Sequence, residues 1–264
     1  MTVQGKTALV AGGAKGLGRQ IALGLAEAGF RIAVSYRTSG EEASRLVREL
    51  ESRGVEAMAV QADVADPASL SGLVAQVERE MGGIDALVCS AGPFIRERRR
   101  FADYAPEEIR YLMETNLLYA MELTRLVLPG MRRRKWGRIL HFGFAHAAEA
   151  RAWPHRAVYA AAKVGLVSFT RTLAVEEAEH GITVNMICPG DIRGGNKERT
   201  IGEVRGLRDP ESPRGRPGSG EDIARVAVFL CSPQSDFITG AVIDVSGGAD
   251  PIRVWPLKDA PDGP

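Results

Sequence analysis

Seven short apolar runs alternate with longer stretches of helical period, and this leaves the chain few ways to bury its hydrophobic residues. The runs are 7–11, 31–35, 56–61, 86–90, 138–142, 183–187 and 242–245. Between them the periodicity predicts helices over 16–28, 41–53, 67–81, 106–134, 158–180 and 221–231. Strands alternating with helices of this length form βαβ units, hence a parallel sheet covered on both faces. Right-handed crossovers then give a Rossmann-type, doubly wound α/β sheet of about seven strands. Its ligand crevice lies beyond the carboxyl ends of the strands. Asp66-Pro67 and Ala105-Pro106-Glu107-Glu108 place Pro and acids where a first helical turn has free N–H groups. With 264 residues and neither a repeat nor a linker, residues 1–264 are expected to form one domain. Two segments read as irregular: 190–220, rich in Gly, Pro and Arg and placed to cover the crevice, and the tail 249–264, with Pro251, Pro256, Pro261 and Pro264.

Several functions are disfavoured at once. Lys plus Arg is 34 against 33 for Asp plus Glu, a net charge of +1, which lacks the basic excess of a dedicated nucleic-acid binder. The three Cys form no C-x-x-C pair, and there is no H-E-x-x-H, so neither a disulfide framework nor a metal site is expected. No apolar run approaches the roughly 20 residues that span a bilayer, and Met1–Lys6 passes directly into the first run. The expectation is a soluble cytoplasmic protein with no membrane partner.

The first run ends in Ala11-Gly12-Gly13-Ala14-Lys15-Gly16-Leu17-Gly18. Glycines at 12, 16 and 18 suit a tight turn, close approach of backbone to a pyrophosphate, and a helix N-terminus aimed at that anion. The second run ends Val34-Ser35-Tyr36-Arg37, with no acid at 35–38 to accept a bond from a ribose 2′-hydroxyl. Arg37, Thr38, Ser39 and Lys15 stand there instead, which points to the 2′-phosphate of NADP(H). Asp63, after the third run, is placed to accept a bond from the adenine amine.

Over nearly its whole length the chain resembles the short-chain dehydrogenase/reductase family. The matching pieces are the Gly loop, Asp63-Val64, Ser90-Ala91-Gly92, Asn116, Tyr159-Ala-Ala-Ala-Lys163, Pro189-Gly190 and Ile238-Thr239-Gly240 leading to Ser246-Gly247-Gly248. Among subfamilies it is most similar to the NADPH-dependent 3-oxoacyl carrier-protein reductases. The resemblance implies a cofactor site of Gly12, Lys15, Gly16, Leu17, Gly18, Arg37, Thr38, Asp63, Val64, Ser90, Ala91, Gly92, Tyr159, Lys163, Pro189, Gly190 and Ile192. It also implies Tyr159 as proton donor to a carbonyl, Lys163 holding the nicotinamide ribose, and Asn116 ordering a proton-relaying water. The implied substrate is a small carbonyl compound, including acyl-CoA or acyl-carrier-protein thioesters, and the implied assembly a homotetramer. Tyr159 and Lys163, four apart on a helix, share one face. A free phenol has a pKa near 10, and a nearby ammonium favours its ionised form.

One part is missing. The family carries a Ser about 13 residues before this Tyr, yet no Ser occurs between Ser90 and Ser168. Counting from the fifth run puts its place at Phe144; counting back from Tyr159 puts it at His146. His146 is accordingly a candidate substitute donor, and an exposed loop histidine is the ordinary alternative. Gly194 stands where relatives often have Thr. A pteridine or imine reductase is the runner-up activity, and a nucleotide-binding sensor or assembly protein the alternative outside enzymes. Arg96–Arg100 and Arg205, Arg208, Arg214 and Arg216 could attract an anionic substrate. Arg132–Lys135 suits a helix C-terminus, Cys89 and Cys188 read as buried thiols, and His141 as a satisfied core residue.

Overall fold

The computed structural model describes residues 3–95 and 97–252. Arg96 of the first basic run, Met1 and Thr2, and the tail from 253 with Pro256, Pro261 and Pro264 lie outside them. Seven parallel strands form one sheet in the order β3-β2-β1-β4-β5-β6-β7. They are β1 Thr7–Ala11, β2 Arg31–Tyr36, β3 Ala57–Gln61, β4 Ala86–Cys89, β5 Gly137–Phe142, β6 Ile182–Pro189 and β7 Val242–Val245. The helices are α1 Gly16–Glu27, α2 Gly40–Ser52, α3 Pro67–Met81, α4 Pro106–Met113, α5 Tyr119–Arg134, α6 Ala157–Glu176, α7 Ile201–Val204 and α8 Gly220–Cys231.

Each face of the sheet has its own core. On one, Ile21 and Leu25 of α1, Leu46 of α2 and Ile223 and Leu230 of α8 pack on Val10, Ile32 and Val88. On the other, Leu73 and Val77 of α3, Leu123 and Val127 of α5 and Leu166 of α6 pack on Leu9, Leu87 and Val184. Because both faces are covered, the strands are apolar throughout rather than alternating, which is why short apolar runs mark them. The register aligns Ala11 with Cys89, so the carboxyl ends of β1 and β4 lie side by side where the strand order reverses. A Cβ at Gly12 would come 3.0 Å from the Ala91 Cα. That is the topological switch point at which open α/β sheets bind ligands.

The expected helix starts are present. The Asp66 carboxylate accepts from the Ala68 N–H at 3.0 Å, and the Glu108 carboxylate from the Ala105 N–H at 3.0 Å. Two helices differ from the periodicity. The stretch 106–134 contains a π turn at Glu114–Leu118, which carries Asn116. The stretch 158–180 ends as an α-helix at Glu176, and a 3-10 turn at Ala178–His180 closes on Gly181 at φ 70°. The irregular segment 190–220 holds a 3-10 turn at Gly194–Glu198 and the one-turn α7, capped by Thr200 accepting from the Glu203 N–H. One helix among the described residues, α6, is long and apolar enough to cross a membrane, and its apolar residues Val158, Leu166 and Leu173 lie in the protein core.

Candidate active site

A cavity of about 1290 Å³ runs along the carboxyl ends of β1, β4, β5 and β6. The Gly loop borders one end. There the Gly12 N–H donates to the Ser35 hydroxyl at 3.2 Å, and the Ser90 hydroxyl donates to the Ala11 carbonyl at 2.8 Å. These bonds tie β2 and β4 to the end of β1. A Cβ at Gly18 would collide with the Gly12 carbonyl, so the start of α1 approaches the loop as only glycine allows.

Of the residues singled out from the sequence, Gly12, Lys15, Gly16, Leu17, Gly18, Ser90, Ala91, Gly92, Tyr159, Lys163, Pro189, Gly190 and Ile192 line this one cavity. Arg37, Thr38, Asp63, Val64, Asn116 and His146 do not. Arg37 and Thr38 are exposed just past β2, and Arg37 donates to the Tyr111 hydroxyl at 3.0 Å. Asp63 accepts from the Ala65 N–H at 2.9 Å, beyond β3. Asn116 is fully buried. Its amide donates to the Pro93 carbonyl at 3.1 Å, while its Oδ1 is buried with no partner among the described residues. An orphaned acceptor of this kind is costly and calls for a donor, such as an ordered water.

Tyr159 and Lys163 both sit on α6, with the Lys163 Nζ 5.8 Å from the Tyr159 ring centre. Lys163 is 3% exposed. Burial pushes its ammonium down to about 8, against the opposing pull of Cys89 and Cys188. The Tyr159 phenol is pushed above its usual range, first by burial and then by Cys188. Burial, rather than Lys163, is the leading influence on the phenol in this structure. Cys89 and Cys188 are buried thiols, each pushed up to about 12 by burial, so both stay protonated at neutral pH. His141 lies between Thr124, at 3.2 Å, and Thr170, at 2.8 Å. Thr170 donates its own proton to the Leu166 carbonyl, so it accepts from Nδ1 and the imidazole is neutral. Burial holds His141 down to about 3.

The two places counted for the absent Ser separate clearly. Phe144, at the end of β5, lines the cavity and stands 6.0 Å from the Tyr159 ring. His146 turns away: its Nδ1 lies 2.7 Å from a Glu149 carboxylate oxygen, and its backbone N–H donates to Asp244. The basic residues are largely spent on acids. Arg216 forms a two-bond pair with Asp222, Arg193 pairs with Asp191 and Glu211, and Arg99 with Glu108. Arg132 pairs with Glu177 and Arg134 with Asp85, which makes the second basic run structural. Arg98 and Arg214 line the cavity; Arg205 and Arg208 do not.

Three features were not legible beforehand. Phe94 and Trp153 stand beside Tyr159, at 5.0 and 6.1 Å between ring centres. Both lie in loops, where no periodicity marks them; aromatic residues shortly after two adjacent strands were the available signal. The third is Glu198, whose carboxylate accepts from the Gly16 N–H at 2.7 Å. This intramolecular anion sits where a pyrophosphate oxygen is expected, and it shows that the start of α1 accepts an anion. The loop thus fits a dinucleotide.

A family model described as enoyl-(acyl carrier protein) reductase matches residues 12–250. The provisionally named oxidoreductase YtkK of Bacillus subtilis (strain 168) is 43% identical over 247 residues, covering 93% of this chain and 97% of the relative. The 3-oxoacyl-(acyl-carrier-protein) reductase FabG of Staphylococcus aureus (strain Mu50 / ATCC 700699) is 35% identical, covering 92% and 97%. A provisionally named 3-oxoacyl-reductase from Bacillus thuringiensis superposes with a TM-score of 0.88 at 42% identity, covering 94% and 99%. A blue fluorescent protein from a metagenomic library, solved in complex with NADPH, gives 0.81 at 32%, with the same coverage. With the sheet order, the Gly loop and the Tyr159–Lys163 pair in place, these likenesses make the chain an oxidoreductase of the short-chain dehydrogenase/reductase family.

Proposed function

We propose that this protein is a soluble, cytoplasmic, NADP(H)-dependent carbonyl reductase with Tyr159 as its proton donor. The observation that carries the reading is Lys163. A lysine 3% exposed, its ammonium pushed down by burial, is a standing cost to the fold, and a decayed site has no reason to keep it beside Tyr159. A reduced nicotinamide, when bound, supplies hydride to the carbonyl carbon. The backbone N–H groups at the start of α1 hold the pyrophosphate, and Lys163 holds the nicotinamide ribose. Tyr159, kept protonated by burial, gives its phenolic proton to the substrate oxygen. The orphaned Asn116 Oδ1 holds a water that refills it. Phe144 takes the place of the family's Ser, so that position offers the oxygen no hydroxyl donor. A C=N bond needs a proton donor rather than an oxyanion donor, and Phe144 therefore favours an imine substrate as the second reading.

The reading is tested by following NADPH oxidation over a panel of carbonyl compounds that includes 3-oxoacyl-CoA and 3-oxoacyl-(acyl carrier protein), the latter being the compound in the FabG relatives' name. Turnover above background on at least one is expected; none on any, with NADPH bound, removes it. The 2′-phosphate is assigned to Arg37 and Lys15. Charge-assisted bonds are the strong ones, but both side chains are exposed and screened. The expected outcome is a Kd for NADPH about tenfold below that for NADH, with the gap closed in Arg37→Ala. Equal affinities of the wild-type protein would overturn the assignment.

Glu198 and the cofactor would compete for the Gly16 N–H. Glu198→Gln removes the charge that repels the pyrophosphate, and NADPH should bind about threefold to tenfold more tightly in a fluorescence titration. Weaker binding would mean that Glu198 orders the loop for the cofactor rather than opposing it.

Assembly is proposed to be a homotetramer. An apolar groove of about 760 Å³, lined by Leu118, Met121, Leu128 and Phe169 among others, opens along α5 and α6. A second copy packing there would bury it. Light scattering should give a mass at least twice 28.4 kDa; a monomer at micromolar concentration contradicts the proposal.

A further inference from the structure

The end of the cavity around Tyr159 is built of rings. Phe144 and Trp153 pack at 4.7 Å, Phe94 and Trp153 at 6.1 Å, and all three lie within 6.1 Å of the Tyr159 ring. Phe144 is 5% exposed and fixed in the core, whereas Phe94 is 43% exposed and faces the mouth. Phe94 is nevertheless held in place. The largely buried Arg156 lays its guanidinium 5.0 Å from the Phe94 ring and donates to the Glu97 and His155 carbonyls. A half-exposed aromatic side chain kept in position by a buried cation is an arranged surface, not an accident of packing.

The rings decide what can be oriented there. Two hydroxyl donors on a substrate oxygen fix the direction of its C=O bond, whereas Tyr159 without a hydroxyl at position 144 leaves rotation about its hydrogen bond freer. A flexible aliphatic chain would exploit that freedom and present its carbonyl carbon in many directions. A flat ring caught against Phe144, Trp153 and Phe94 cannot, because stacked and edge-to-face contacts fix its plane. Orientation of the reacting carbon governs how often hydride transfer succeeds.

We propose that Phe144, Trp153 and Phe94 form a specificity box that selects carbonyl compounds whose C=O is set on or within a flat unsaturated ring, over aliphatic 3-oxoacyl chains. The proposal rests on the reductase reading and names its substrate class. The reaction balances as hydride from the reduced nicotinamide to the carbonyl carbon and a proton from Tyr159 to the oxygen, giving the corresponding alcohol (secondary from a ketone) and oxidised cofactor.

The test has two arms. In the first, NADPH oxidation is compared for an aryl ketone (1-phenylpropane-1,2-dione) and acetoacetyl-CoA. The wild-type kcat/KM should favour the aryl substrate by at least about tenfold. Phe144→Ser, which removes a ring and restores a hydroxyl donor, should shift that ratio at least about tenfold towards acetoacetyl-CoA. In the second, a flat ligand with no reducible group (2-naphthol) is titrated by its quenching of tryptophan fluorescence, independently of turnover. Phe94→Ala, a change at a half-exposed position that the fold tolerates, should weaken 2-naphthol about fivefold or more. Wild-type preference for acetoacetyl-CoA, an unmoved ratio in Phe144→Ser, or 2-naphthol affinity unchanged in Phe94→Ala each overturns the box. If no compound of the wider carbonyl panel is reduced while 2-naphthol still binds through Phe94, the reductase reading falls and the ring-binding site stands.

Discussion

Tyr159→Phe lowers the rate of carbonyl reduction about 10²–10⁴-fold and leaves the Kd for NADPH within about twofold, because the ring stays and only the acid is removed. The effect is large because nothing replaces that acid. Phe144 has no donor, His146 is turned onto Glu149, and the buried thiols, pushed up to about 12, are weak acids at neutral pH. The pH profile carries the same information with a definite sign. Burial raises the Tyr159 phenol, so the donor is protonated throughout the neutral range. Reduction should therefore show no loss of the Tyr159 proton across neutral pH, any fall near pH 8 belonging to Lys163, while oxidation of the product alcohol, which needs the phenolate as base, should rise at strongly alkaline pH. Single-turnover measurements with deuterated NADPH establish that hydride transfer is being observed. A Tyr159→Phe enzyme with wild-type rate and a full isotope effect sinks the mechanism.

The sheet was legible because its strands are buried on both faces: Ala8–Val10, Ile32–Val34 and Leu87–Cys89 are apolar without interruption. β1, β7 and α3 have the predicted ends, since Asp66-Pro67 and the glycines nearby are local signals that tertiary packing does not override. The π turn at Glu114–Leu118 was not legible. It lies inside one long helical stretch with no Gly or Pro of its own to mark it, yet it carries the buried Asn116, which faces Gly92. The Gly-loop end of the site follows from spacing, because backbone N–H groups do the binding there. The chemical end depends on which side chains from two loops converge on α6, and spacing says nothing about that. Counting could not choose between Phe144 and His146 because the loop after β5 carries αL residues at His146, Ala150 and His155, which take up the extra length. The i,i+4 spacing gives the proximity of Tyr159 to Lys163, but how strongly burial acts on the phenol belongs to the packed structure.

Lys163→Met should abolish most of the activity and at the same time make the protein more stable. In the native state burial brings the ammonium from 10.5 to about 8. The drop from 10.5 to about 8, at about 1.4 kcal/mol per tenfold change, corresponds to roughly 3–4 kcal/mol of destabilisation while the lysine is charged. Below about pH 8 both folded and unfolded chains carry the proton, so the full penalty applies. Between about 8 and 10.5 the unfolded chain binds the proton more tightly, and wild-type stability rises with pH. Above that range the lysine is neutral in both states and the penalty is gone. Methionine keeps most of the aliphatic stem and brings no charge, so at pH 7 the melting temperature should rise by roughly 5–10 °C for a chain of this size. By about pH 10.5 the two proteins should melt together. Activity should fall about 10²-fold or more, through lost hold on the cofactor ribose, which a rise in the Kd for NADPH would register separately from kcat. Thermal unfolding of both proteins at pH 7 and pH 10.5 checks the prediction. A Lys163→Met protein less stable than wild type at pH 7 would mean that the ammonium is paired in solution and that burial is not what sets its charge. A protein that holds a lysine almost wholly out of solvent gives up stability for function, and that trade is expected where the lysine acts on something bound.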